Sequence, residues 1–216
     1  MKRTASLLLA LLLALTLTAC GGKTDGGITA KDGYGEGGIG DVMHSYFFDF
    51  TVNSAVLQDT YGSHTPADGW KTLVVTVTIT NTLAKNVKMD KEDIESGAAD
   101  IEMYDTDFQL EWDGGDEAVA VPITTDPETF SENDTVSDAQ LPAVYPLKNE
   151  ETRNGDLVFD VPADISEFVL CMEEYFDDGS EEGEAGDLYA VLFTVEPDSS
   201  VDEPDASAAE PDSSAG

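Results

Sequence analysis

Positive charge is what this sequence has least of. Its 216 residues carry ten Lys and Arg against 45 Asp and Glu, a formal net charge of −35. Nucleic-acid binding is excluded on that ground, because a phosphate backbone must be neutralised by Lys and Arg. Broad contact of the body with anionic lipid headgroups is disfavoured for the same reason. Such a charge keeps a protein soluble at a crowded surface, and it also attracts cations and basic partners. Cysteine is nearly absent too, with only Cys20 and Cys171, so no framework of several disulfides is available. The two histidines, His44 and His64, stand in no H-E-x-x-H or comparable metal spacing, and neither a G-x-S-x-G elbow nor a P-loop occurs. A carboxylate pair can do acid–base work unaided, but 45 acids make pairs everywhere, so no enzyme is expected. The longest apolar stretch, Leu7 to Leu17, has eleven residues, short of the ~20 that a membrane-spanning helix needs.

That stretch has another use. Lys2 and Arg3 precede it and small residues follow it, the layout of a secretory signal. An ordinary signal ends in an A-x-A-like site. Here Leu17-Thr18-Ala19-Cys20 is followed by Gly21-Gly22, which resembles the bacterial lipobox. That resemblance implies a diacylglycerol on the Cys20 thiol, removal of residues 1–19 and a mature chain of 197 residues with charge −37. The protein is therefore expected at the cell membrane, lipid-anchored and facing the extracytoplasmic side. Cys171 is left without a partner, and its setting in Phe168-Val169-Leu170-Cys171-Met172 suits an inert, buried thiol.

Residues 21–40 hold nine glycines in twenty and read as a flexible spacer that would keep the domain ~25 Å from the anchor. From Ser45 the pattern changes to period two. Phe48, Phe50, Val52 and Val56 alternate with Asp49, Thr51 and Asn53. Leu73, Val75, Val77 and Ile79 alternate with Thr72, Thr76, Thr78 and Thr80, a run rich in the β-branched residues that pleated surfaces favour. Shorter strands are expected over 101–104, 108–112, 118–123 and 157–161. Two more, Phe168 to Phe176 and Leu188 to Val195, are apolar on both faces and so belong inside their sheet. Asp90 to Glu95 fits a helical turn or a loop, and 124–139 a long loop. Seven or eight short strands indicate an all-β antiparallel sandwich, although pattern alone does not separate sandwich from barrel. The expected organisation is a lipoprotein signal peptide over 1–19, the lipidated Cys and Gly-rich linker over 20–44, the sandwich over 45–195 and an acidic tail over 196–216. The tail repeats Glu-Pro-Asp at 196, 203 and 210 without any apolar seam, the composition of a disordered segment.

Two site hypotheses follow from the residues. Ca²⁺ takes oxygen ligands, and two acidic clusters offer them, Asp105 and Asp107 with Asp113 and Asp116, and Asp177, Asp178 and Glu181 with Glu182 and Glu184. The second lacks EF-hand spacing and also fits a solvated acidic hairpin loop. Exposed aromatics form binding patches, and Phe47 and Trp70 fall on the outward faces of the first two strands, where either could instead pack beneath a loop.

Several stretches together resemble a known family. They are Phe48 to Ala55, Thr65-Pro66-Ala67-Asp68-Gly69 running into Leu73 to Thr82, Asp105 to Trp112, and Gly155 to Pro162. The chain looks like the bacterial lipoproteins with a single immunoglobulin-like domain of unknown function, some of which carry a label borrowed from a telomere-repeat-binding factor. The resemblance covers about residues 45–195 and implies an immunoglobulin-like sandwich and an envelope location. It assigns no catalytic residue, and the −37 charge argues against any nucleic-acid role. The expected role is binding or interaction at the cell envelope, with a ligand or protein partner that the sequence does not name. A calcium-stabilised surface lipoprotein is the second expectation, and a carboxylate-dependent hydrolase the third.

Overall fold

Strand β5 (Trp70–Asn81) is the axis of the first sheet. Leu73, Val75, Val77 and Ile79 all have 0% exposure, as the alternation requires. β4 (Phe48–Gln58) pairs with it on one side and β10 (Thr152–Pro162) on the other, both antiparallel. In this computed structural model, residues 26–113, 118–129, 131–176 and 184–196 are described. The tail repeat and the Cys20 motif lie outside them.

The described strands form two five-stranded sheets and a two-stranded one. In chain order β1 is Ile28–Thr29, β2 Tyr34–Gly38 and β3 Val42–His44, ahead of β4. β6 (Ile101–Tyr104), β7 (Phe108–Glu111), β8 (Val119–Ala120) and β9 (Val144–Leu147) lie between β5 and β10. β11 is Glu167–Phe176 and β12 is Glu184–Thr194. The first sheet runs β1-β3-β4-β5-β10 and the second β2-β12-β11-β7-β8, while β6 pairs with β9. One apolar core fills the space between the sheets, with Phe50, Phe108 and Tyr189 in edge-to-face contact at its centre. The β-sandwich is therefore as expected, and β11 and β12 do lie inside their sheet.

Three features differ from the sequence reading. The sheets are mixed, since β1 runs parallel to β3 and β2 parallel to β12. The cause is a hairpin at Lys31-Asp32-Gly33-Tyr34, whose two arms go to different sheets. Each arm then pairs with whichever strand forms that sheet's edge.

The second difference is the spacer. Strands begin at Ile28, not near residue 45. The glycines serve close approach: a Cβ on Gly35 would lie 2.9 Å from Tyr189 Cδ1, and one on Gly37 would lie 2.5 Å from Met43 Cε.

The third is a bulge between Val52 and Ser54 that reverses the phase of β4. Val56, expected inward, is 44% exposed, while Ala55 and Leu57 pack on the core.

Residues 121–129 and 131–141 are also more than a loop. They lie across the outward face of the first sheet, where Val74 and Val158 are buried with Tyr61 and contacted by Ile123 and Val136. Gly62 permits this. Its φ is +56°, and a Cβ there would stand 2.0 Å from the carbonyl oxygen of Val136. Gly62→Ala combines left-handed strain of ~1–2 kcal/mol with a backbone clash, so a melting temperature several degrees below wild type is expected. An unchanged one would show that the segment is not seated there.

Between β5 and β6, α1 (Leu83–Val87) and α2 (Lys91–Ser96) close one end of the sandwich. Asp90 caps α2, accepting hydrogen bonds from the backbone N–H groups of Glu92 and Asp93 at 2.9 and 3.0 Å.

Candidate functional site

The turn between β3 and β4 is Ser45-Tyr46-Phe47, and its form follows from short local bonds. Ser45 Oγ donates to the Phe48 carbonyl at 2.6 Å and accepts from the Phe48 N–H at 3.2 Å. Asn86 of α1 donates from Nδ2 to the carbonyls of Ser45 and Tyr46, both at 3.1 Å. The turn is thereby held rigid, with Tyr46 43% exposed. Immediately flanking it, His44 and Asp49 are cross-strand partners. His44 Nδ1 lies 2.9 Å from Asp49 Oδ1, which fixes the imidazole and directs Nε2 away from the carboxylate.

The second sheet reaches the same place through β11. Glu174 continues the inward alternation of β11 opposite a register shift in its pairing with β12; it is 5% exposed and Tyr175 62% exposed. Glu174 accepts the Tyr46 N–H on Oε1 at 2.5 Å and the Asp187 N–H on Oε2 at 3.3 Å. One carboxylate thus ties the β3–β4 turn of one sheet to β12 of the other. Tyr189 adds a second tie, donating its hydroxyl to the His44 carbonyl at 2.6 Å; burial pushes that phenol up to about 12. Above them the rings of Tyr46, Phe47 and Phe176 are in mutual contact, with centroids 5.0–5.3 Å apart.

The His44–Asp49 pair, Tyr46, Glu174, Phe176 and Tyr189, but not Phe47, line an open groove of about 600 Å³ at this end of the sandwich, with Lys85 and Asp187 also facing it. The lining is mostly polar, with three carboxylates, Lys85 and the His44 imidazole beside the rings of Tyr46, Phe176 and Tyr189.

The residues proposed from sequence fall elsewhere or apart. Phe47 and Trp70 do not form one patch. Phe47 precedes Phe48, which pairs with Asn81, whereas Trp70 starts β5. Some eleven residues of strand separate them, on the order of 35 Å at ~3.3 Å per residue. Phe47 packs partly on the core beside the groove, and Trp70 is 43% exposed at the far end.

Asp105 is 2% exposed and accepts hydrogen bonds from Thr124 Oγ1 and, at 3.0 Å, Thr125 Oγ1. It pins the covering segment. Asp107 accepts the Tyr104 N–H at 3.0 Å, closing the 3-10 turn Asp105–Asp107. Among the described residues no group of three or more His, Cys, Asp or Glu side chains is gathered as a metal would need. Asp116, Asp177, Asp178, Glu181 and Glu182 lie outside the described residues. Cys171 is only half-buried, on the outward side of β11; burial and the neighbouring Glu111 push its thiol up to about 12, so it stays protonated and unreactive at neutral pH.

Sequence reasoning missed the groove, although one signal for it was present. In β11 the inward positions are Phe168, Leu170, Met172 and then Glu174. An acid on core parity marks a buried carboxylate with a specific job.

The acids around the 3-10 turn set a pH dependence. Burial raises Asp107 from its ordinary 3.8 to about 6, and it raises Asp105 and Glu111 as well. The folded state therefore holds protons more tightly than the unfolded chain between about pH 4 and about pH 6. Stability falls as pH rises through that window. Melting temperature is expected to rise when pH is lowered from about 7 to about 5, and Asp107→Asn should raise it at pH 7 while flattening the slope. A wild type that loses stability over this range would contradict the assignment.

Comparison with known proteins gives fold-level likenesses. A candidate lipoprotein of Bacillus subtilis, ycdA, is similar over 71% of this chain at 15% identity with a TM-score of 0.43; the chain spans 38% of its length. An uncharacterised β-sandwich protein of Clostridium difficile 630 is similar over 81% of this chain and all of its own, at 18% identity and a TM-score of 0.38. The yjhA protein of Bacillus subtilis is similar over 74% of this chain and 99% of its own, at 13% identity and a TM-score of 0.42. No family model matches the chain, and no curated protein matches it. Among the described residues no helix is long and apolar enough to cross a membrane.

Proposed function

We propose that the chain is a lipid-anchored, extracytoplasmic binding module of the bacterial cell envelope. In this reading Cys20 holds it to the membrane, and the end groove receives the ligand. The anchor rests on Leu17-Thr18-Ala19-Cys20 after a short apolar segment. The binding role rests on one observation: elements of both sheets converge on the groove, bringing the His44–Asp49 pair and Glu174 together with the Tyr46 and Phe176 rings. A ligand suited to that lining has an apolar face for the rings and a hydrogen-donating or cationic group for the carboxylates. Ring faces and a strongly acidic surface both favour positive charge. The role is non-catalytic.

A photo-reactive amino acid placed at Tyr46 in living cells tests this. It should capture a discrete envelope component, and Asp49→Asn should weaken that capture. The same residue placed at Trp70, at the far end of the sandwich, should not capture it. Equal capture from both ends, or capture indifferent to Asp49→Asn, would contradict the groove as the site.

A further inference from the structure

The strands found in the supposed spacer change how an anchored domain must sit. Five residues, 21–25, separate Cys20 from Gly26, where the described chain begins. Fully extended, the six Cα-to-Cα steps between them span at most about 22 Å, against ~40 Å for the twelve residues of β5. A chain so short keeps the point where it leaves the domain within about 22 Å of the anchor. Followed backward from β1, which runs beside β3, the chain passes Val42: a Cβ on Gly27 would stand 2.5 Å from the Val42 carbonyl oxygen. The departure point is therefore the β1–β3 edge, beside the groove: the same Cβ would stand 2.4 Å from His44 Nε2, and Thr29 of β1 lines the groove.

That edge has the surface for the task. The β2–β3 connection is a tight turn, with the Asp41 N–H donating to the Gly38 carbonyl at 3.1 Å and Gly40 at φ +90°. The Asp41 carboxylate folds back onto the Gly38 N–H at 2.9 Å. The turn carries Ile39, 44% exposed, and leads into Val42, 38% exposed. Isolated exposed aliphatics are ordinary on protein surfaces; Val42 is beside the point where the chain leaves for Cys20, and Ile39 stands three residues before it at the same turn. Charge favours the same orientation. Residues 26–44 carry a net charge of −2, whereas the 152 residues from 45 to 196 carry −29. Per residue that is about −0.1 (−2 over 19) against about −0.2 (−29 over 152), so an anionic bilayer repels this edge somewhat less than an equal stretch of the body.

We propose that the β1–β3 edge lies on the outer surface of the membrane, with Ile39 and Val42 in the lipid interface and the groove turned sideways, open to a ligand arriving along the membrane. The proposal rests on Cys20 being the anchor, so the test imposes that anchor chemically. The chain from Cys20 onward, carrying Cys171→Ser, is coupled through Cys20 to a maleimide lipid in vesicles of phosphatidylcholine and phosphatidylglycerol, and the coupled fraction is measured. Ile39→Trp in a Trp70→Phe background is compared with the protein retaining Ile39 and native Trp70; the largely buried Trp112, 7% exposed, is common to both. Brominated acyl chains should quench the tryptophan at 39, whose emission should shift to shorter wavelength on coupling. Trp70 should be unaffected, and uncoupled protein should show neither change. A tryptophan at 39 left unquenched on coupled vesicles, or quenching at 39 and 70 to the same extent, would overturn the orientation. Lipidation in cells is read separately by palmitate labelling, so failure of the anchor and failure of the orientation are distinct results.

Discussion

Asn81→Leu should destabilise the domain by about 3–5 kcal/mol, more than an ordinary surface change at a strand end. Asn81 has 0% exposure. Its Nδ2 donates to the carbonyls of Ala99 at 2.8 Å and Leu147 at 2.9 Å, and its Oδ1 accepts the Leu83 N–H at 3.0 Å. One side chain therefore satisfies three backbone groups from three segments: the entry to α1, the approach to β6 and the end of β9. Leucine has similar volume and no polar atom. Each backbone group left buried and unpaired costs about 1–3 kcal/mol. For a domain of this size each kcal/mol lowers the melting temperature by roughly 2–4 °C, so a fall on the order of 10 °C is expected. Asn81→Asp should be worse still, because it turns the donor into an acceptor facing two carbonyls and buries a charge. Thermal unfolding of the three proteins by circular dichroism checks the order. A leucine variant melting within about 2 °C of wild type would show that the joint is not needed.

Glu174→Ala is the second large effect, and it bears on the groove itself. Hydrogen bonds to a buried carboxylate contribute more than neutral ones, about 1.5–3 kcal/mol each. Removing this one frees the Tyr46 and Asp187 N–H groups together. A loss of about 2–4 kcal/mol is expected. Glu174→Gln keeps one acceptor oxygen but sets an amide donor against the other N–H, so it should fall between. The local signature matters more than the global one. Amide hydrogen exchange at Tyr46 and Asp187 should accelerate in the alanine variant well beyond what global destabilisation produces, and the near-ultraviolet signal of the Tyr46, Phe47 and Phe176 cluster should diminish. Wild-type exchange at both amides would show that Glu174 does not hold the two sheets together there.

Sandwich and sheet positions were legible because burial on one face imposes period two, and β5 keeps it without interruption from Leu73 to Ile79. β4 misled after Val52, since a bulge shifts phase without leaving a residue type that announces it. The Gly-rich stretch misled for a different reason. Glycine density signals flexibility only where nothing lies close to the backbone; at Gly35 and Gly37 the side chains of Tyr189 and Met43 do. Asp32-Gly33, the strongest short hairpin signal, sat in that stretch and pointed to strands on either side of it. Acid counts were uninformative about sites, because Asp105 and Asp107 are defined by partners at 104, 124 and 125 that spacing along the chain does not reveal. The groove was half legible. His44 and Asp49 flank a turn and so must face each other across it, and Glu174 stands on core parity. Their convergence requires the two sheets to be packed first.

The anchor and the orientation of the domain on the membrane both depend on Cys20. Cells expressing the full chain are grown with labelled palmitate, and the wild type is compared with Cys20→Ala. Wild-type protein should incorporate label, lose residues 1–19 and fractionate with membranes. The Cys20→Ala protein should carry no label and keep its N-terminal segment. Label on the Cys20→Ala protein at the wild-type level, or none on the wild type, would contradict the account of a lipid-anchored module.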